Sequence, residues 1–140
     1  MKLCSLITFS ALACLGACSS IDSDDLRTSG ISVQYRAVAT GIGTTSLEAQ
    51  FYTGDGGFNA LSVDLKSGDV AKVYYGNDIS VSLIETEALG EYTYKRVVNA
   101  GSAGTSFRFA LERADDIGAP NTSIYLPEPF TASSDQTGAA

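Results

Sequence analysis

The stretch Ile31-Ser32-Val33-Gln34-Tyr35-Arg36-Ala37 decides the fold class. Ile31, Val33, Tyr35 and Ala37 lie on one side of a two-residue period, and Ser32, Gln34 and Arg36 on the other. Successive side chains of an extended backbone point to opposite faces, so this alternation describes a strand with one buried face and one wet face. The same period returns in Leu47, Ala49 and Phe51, in Leu61, Val63 and Leu65, in Ile79, Val81 and Leu83, and in Phe107, Phe109 and Leu111. Clean alternation belongs to antiparallel sheets, because parallel strands are buried on both faces and read as continuous apolar runs.

Glycine-rich and polar breaks separate these runs at 40–43, 54–57, 67–69, 76–78 and 99–104. They bound about eight strands, predicted near 31–39, 47–53, 59–65, 70–75, 79–84, 91–98, 105–113 and 122–126. No helix-period stretch exceeds two turns and no repeat is present. The fold expected is all-β, an antiparallel, immunoglobulin-like β-sandwich of seven or eight strands over 31–130, with a small up-and-down β-barrel as the alternative. A body of that size buries about 60% or more of its unfolded surface, enough for one two-layer core without covalent staples.

The chain has 140 residues, with 9 Lys plus Arg, 16 Asp plus Glu, three Cys and no His. Without imidazole, Ser-His-Asp and Cys-His catalysis and His-containing zinc sites are excluded. A formal charge of -7 argues against nucleic acid, whose phosphates are held by Lys and Arg.

At the N-terminus, Lys2 precedes an apolar run from Leu3 to Ala17 broken only by small polar residues. This order predicts a signal peptide over 1–17, too short for a membrane span. Its end, Leu15-Gly16-Ala17-Cys18, resembles the lipobox of bacterial lipoproteins. That resemblance implies cleavage between Ala17 and Cys18 and acyl chains on Cys18. Two or three chains hold durably where one holds marginally, so the membrane is the expected partner through those chains. Ser19, where lipoproteins retained in the inner membrane have Asp, places the chain in the outer membrane by the same resemblance, facing either periplasm or exterior. Cys4 and Cys14 leave with the leader, and Cys18 is then the one mature cysteine, so a disulfide is not expected. Loss of Lys2 takes the mature charge from 9 minus 16 to 8 minus 16, or -8. Residues 18–30 are expected to form the lipidated cysteine and an acidic flexible tether, and 131–140 a disordered tail.

Gly90-Glu91-Tyr92 resembles part of the tyrosine corner of immunoglobulin-like domains, without the Cys-Trp-Cys core. Residues 92–130, with Ala119-Pro120-Asn121 and Leu126-Pro127-Glu128-Pro129-Phe130, look like the C-terminal half of small proteobacterial lipoproteins; this resemblance implies no catalytic residues.

Three groups are candidate sites. In Gly54-Asp55-Gly56-Gly57-Phe58-Asn59, Asp-Gly favours a hairpin turn, and a calcium site using Asp55 and Asn59 is the alternative. Arg113-Ala114-Asp115-Asp116 offers a cation beside two carboxylates; pairing among these neighbours, or solvation, is the plain expectation, and hydrolysis through Asp115 or Glu112 the remote one. Tyr52, Tyr74 and Tyr125 lie off the apolar parity or beside another Tyr, as strand-face residues or as a binding surface for a protein or glycan. With no catalytic constellation, metal or cofactor expected, the sequence reads as a non-enzymatic interaction or envelope-structural module.

Overall fold

The computed structural model describes residues 20–128 except 42 and 78. It contains ten strands: β1 (Ser20–Asp22), β2 (Ile31–Gly41), β3 (Thr44–Thr53), β4 (Ser62–Asp64), β5 (Val70–Tyr75), β6 (Ile79–Ser82), β7 (Ile84–Ala88), β8 (Glu91–Val98), β9 (Ser106–Glu112) and β10 (Ala119–Tyr125). Sheet A runs β1-β4-β3-β8-β7, with β2 also pairing β3; sheet B runs β10-β9-β5-β6. The two sheets pack as a β-sandwich, which decides between the sandwich and the barrel that the period-two pattern alone leaves open.

Every predicted strand is present, with two differences of detail. The run 79–84 divides at Leu83: β6 pairs with β5 in sheet B, whereas β7 pairs with β8 in sheet A. Leu83 is the crossing residue, buried at 7% exposure, with its N–H donating to the Ala71 carbonyl at 2.8 Å. The second difference is β1, which pairs in parallel with β4, Ser20 opposite Ser62 and Asp22 opposite Asp64.

The parities meet between the sheets as expected. Leu47, Ala49, Phe51, Tyr94 and Val98 from sheet A face Ala71, Val73, Phe107, Phe109 and Leu111 from sheet B. Phe51, Phe107 and Phe109 are fully buried, each contributing about 1.5–3 kcal/mol through apolar area removed from water. Their rings meet tyrosines. Tyr35 lies 4.6 Å from Phe109 and Tyr94 5.5 Å from Phe51, centroid to centroid, the second at 71° in an edge-to-face contact.

Residues 20–30 correct the tether expectation. Ile21 and Leu26 pack against the core, Ser23 is fully buried, and two single 3-10 turns, Ser23–Asp25 and Thr28–Gly30, carry the chain from β1 into β2. The segment looks like a linker because its polar residues outnumber its apolar ones, yet Ser23, Asp24 and Thr28 are spent on hydrogen bonds to the sandwich. Gly90-Glu91-Tyr92 also departs from the corner that it resembles. Ala88 pairs with Glu91, so Leu89 and Gly90 form the tight tip of a hairpin within sheet A. Ala17, Cys18 and the tail 131–140 lie outside the described residues.

Candidate functional site

Three polar groups stand out, and each is built by elements that the sandwich brings together. The first lies where the β4–β5 and β9–β10 connections meet the 3-10 turns. Arg113, at the end of β9, extends its guanidinium under the N-terminal segment with its side chain 3% exposed. Nε faces Asp69 Oδ2 at 2.5 Å, and Nη2 donates to the carbonyls of Ser23 at 2.7 Å and Leu26 at 3.1 Å. The planar fork of arginine suits this convergence of a carboxylate and two carbonyls. Asp69 Oδ1 in turn accepts the Ala114 N–H at 2.9 Å.

Asp116 completes the clasp. Its Oδ2 accepts the Thr28 N–H at 2.7 Å and the Thr28 hydroxyl at 2.9 Å, and its Oδ1 accepts the Ile117 N–H at 2.8 Å. Those donors hold its carboxyl below the usual range, the Thr28 and Ile117 backbone bonds contributing most. Asp24 is likewise lowered, first by the Ser67 hydroxyl that donates to it. The cleft here has a volume of about 430 Å3, with Asp25, Arg27 and Asp115 also on its wall. Sequence neighbourhood suggests that Arg113 pairs with Asp115 and Asp116; its short ion pair instead runs to Asp69, 44 positions away by residue number, and Asp116 serves the backbone of Thr28. Arg113 and Asp116 are fully engaged in holding chain to chain, and Asp115 is exposed in the loop.

The second group lies at the seam between the sheets. Tyr94 spans the core and its hydroxyl accepts the Leu65 N–H at 2.7 Å while facing Asp64 Oδ1 at 3.5 Å. Asp64 is 2% exposed and is neutralised by an ion pair with Lys66. Glu85, opposite Tyr94 in the β7–β8 ladder, has its carboxyl raised above the usual range, first by desolvation and then by the Asp64 charge. A carboxylate turned toward the seam at the exposed edge strand β7 guards that edge against pairing with another chain. The sequence hides this group, since Asp64 and Glu85 sit in ordinary polar positions of separate strands.

The third group is the outer face of sheet B. Tyr74, Arg108 and Ser123 stand in register across β5, β9 and β10, opposite in parity to the buried Phe107 and Phe109. The Arg108 guanidinium lies 4.4 Å from the Tyr74 ring centroid, a cation–π contact. The Tyr74 hydroxyl donates to Glu112 Oε1 at 2.8 Å, and Lys72 Nζ meets Glu112 Oε2 at 2.6 Å. Both partners hold the Glu112 carboxyl low, with Lys72 foremost. Glu112 is thereby an ion-paired anchor for Tyr74, a state opposed to that of a general acid. Tyr125 shares this face and is 66% exposed. Tyr52 does not join them: it projects from the outer side of sheet A, beside the buried Phe51. So two of the three candidate tyrosines form one surface, and the third belongs to another.

The Gly54–Asn59 loop is a turn. Asp55 Oδ1 accepts the Gly57 N–H at 3.0 Å, so this carboxylate folds back on its own backbone. Asn59 is exposed, and the Ala60 N–H donates to the Gly57 carbonyl at 2.9 Å. Among the described residues no group of three or more His, Cys, Asp or Glu could hold a metal ion. No family model matches the chain, and no curated protein matches it either.

Proposed function

We propose that the chain is a lipoprotein anchored in the outer membrane through Cys18, whose β-sandwich serves as a non-enzymatic interaction module. The observation that carries this reading is the sequence Leu15-Gly16-Ala17-Cys18 at the end of an apolar leader. The uses of the polar groups support it. Arg113, Asp116, Asp64 and Glu112 are each committed to internal ion pairs or backbone hydrogen bonds, which fix the fold and leave its outer faces to recognition. The surface assigned to that recognition is the outer face of sheet B, where the Tyr74–Arg108 stack and Tyr125 offer flat rings with polar rims, the chemistry that suits a protein or glycan partner.

Metabolic labelling with palmitate tests the anchor. The wild-type chain takes up label and fractionates with membranes, and Cys18→Ala loses both; a wild-type chain without label overturns the reading. For the surface, a photo-crosslinker at position 125 in cells captures a partner that one at position 97, on the outer face of sheet A, does not. Equal capture from both positions overturns the assignment of sheet B.

A further inference from the structure

The folded part of the chain starts almost at the anchor. β1 begins at Ser20, two residues after Cys18, so their Cα atoms are at most about 7 Å apart. The lipoprotein reading, on which this inference rests, therefore leaves no tether; the end of the sandwich where β1 begins must lie against the bilayer.

That end has a distinctive surface. Ser20 pairs with Ser62, and the Ser62 hydroxyl accepts the Tyr92 N–H at 2.9 Å, which places the start of β8 and its hairpin beside the start of β1. The loop between β3 and β4 closes at the same end, with Ala60 and Leu89 lining one shallow cleft. Each of the two tips carries a large apolar side chain in the open: Phe58 is 104% exposed and Leu89 is 87% exposed.

Leu89 adds an independent sign. Leu89 has φ 54° and Gly90 φ 79°, the type I′ hairpin geometry that favours Asn-Gly. Leucine there takes a left-handed backbone disfavoured for a residue with a branched side chain, and gains no packing in return. A strained residue that breaks the local rule without a structural benefit points to a role outside the fold.

We infer that Phe58 and Leu89 insert into the membrane interface beside the acylated Cys18, so that lipid and protein together fix how the sandwich stands on the bilayer. Such side chains reach about 5–10 Å into the headgroup and acyl boundary, a depth compatible with the two-residue spacing. The carboxylates of Asp55, Glu87 and Glu91 flank the tips, which suits the ammonium groups of phosphatidylethanolamine and disfavours anionic headgroups.

The test uses the full-length lipidated chain in phosphatidylcholine–phosphatidylethanolamine vesicles. Because Cys18 is acylated and Cys4 and Cys14 are removed, Phe58→Cys, Leu89→Cys and the control Val97→Cys each present one thiol for an environment-sensitive dye. Val97 is also an exposed apolar residue, at 62%, but lies on the outer face of sheet A near the opposite end of β8. The expected result is blue-shifted emission at 58 and 89, quenched by a spin-labelled lipid, with position 97 unquenched. Unquenched dyes at 58 and 89 overturn the inference; if they are blue-shifted without lipid quenching, a second protein or another copy covers this end. Palmitate content of the same preparations separates the two failures. Acylated protein with water-exposed dyes defeats only the docking, whereas absence of acyl chains defeats the anchor and the docking together. A thermal unfolding midpoint in detergent matching the wild type shows each variant folded.

Discussion

Arg113 Nη2 donates to the main-chain carbonyl of Ser23 at 2.7 Å, joining residues 90 positions apart. This bond makes the N-terminal segment part of the sandwich. Through it and the Asp116–Thr28 contacts, the β9–β10 connection clamps the chain that lies between β1 and β2. A protein pulled from its N-terminus by an anchor would transmit that pull into sheet A through β1 and into sheet B through Arg113.

Arg113→Ala should therefore destabilise strongly. The substitution leaves Asp69, 4% exposed in its side chain, as a buried charge without its cation, and breaking a buried pair in this way costs about 3–5 kcal/mol. Arg113→Lys keeps a charge but loses the planar fork, so its loss should be smaller yet clear. Equilibrium unfolding in urea measures both; equal stability of Arg113→Ala and wild type would show that the clasp is ornamental.

The core tyrosines give a matched pair of predictions from one chemical change. Among the described residues the buried Tyr35 hydroxyl has no hydrogen-bond partner, whereas the Tyr94 hydroxyl accepts the Leu65 N–H and faces Asp64. Tyr35→Phe removes an unsatisfied polar atom and should be neutral or stabilising. Tyr94→Phe strands a buried N–H and should cost about 1–3 kcal/mol. Thermal melts of the two variants side by side decide whether the partner, and not burial alone, governs the outcome.

Alkaline unfolding follows from the same hydroxyl. Burial pushes the Tyr35 pKa from 10.0 up to about 12, so the folded state holds this proton more tightly than the unfolded chain. The stability this contributes is complete below pH 10 and is lost as pH rises toward 12. Tyr94 is raised in the same direction by desolvation. Tyr35→Phe should then move the alkaline unfolding midpoint upward, read by circular dichroism across pH 9–13; an unchanged midpoint would locate alkaline unfolding elsewhere.

At the acid end the clasp should yield first. Asp116 is held below its ordinary value of 3.8 by donors that bind only the carboxylate well, so its contribution is present above that value and disappears as pH falls through the lower folded one. Hydrogen exchange at the Thr28 and Leu26 amides should accelerate below pH 4, relative to amides of β9, after correction for intrinsic rates. In Asp116→Ala the Thr28 amide should exchange rapidly at neutral pH as well.

Strand positions were legible because one buried face per strand imposes its period on the residues, and the period needs no knowledge of partners. β1 escaped because Ser20-Ile21-Asp22 has one apolar residue and pairs in parallel with the equally short β4. The crossing at Leu83 escaped because parity continues through it from Val81, while the change of sheet depends on what lies across the gap. The polar groups were less readable still. Arg113 and Asp69, Asp64 and Glu85, or Tyr74 and Arg108 are joined by register and loop closure, which no local pattern records. Adjacent residues drew attention to Asp115, where the fold leaves an exposed side chain, and away from Asp69, where it makes a buried ion pair.

Leu89 offers a substitution with opposite effects on stability and on membrane docking. Its φ of 54° is a conformation that asparagine adopts readily and leucine resists, with a left-handed residue costing about 1–2 kcal/mol. Since Leu89 is 87% exposed, little packing is lost on replacement. Leu89→Asn should raise the unfolding midpoint in detergent, by an amount equivalent to about 1 kcal/mol, because Asn-Gly is the favoured pair at a type I′ tip. In vesicles the same variant should weaken contact of the Phe58 tip with lipid, read as reduced spin-label quenching of a dye at position 58. A rise in stability with undiminished quenching would mean that leucine at this turn serves neither the fold nor the bilayer.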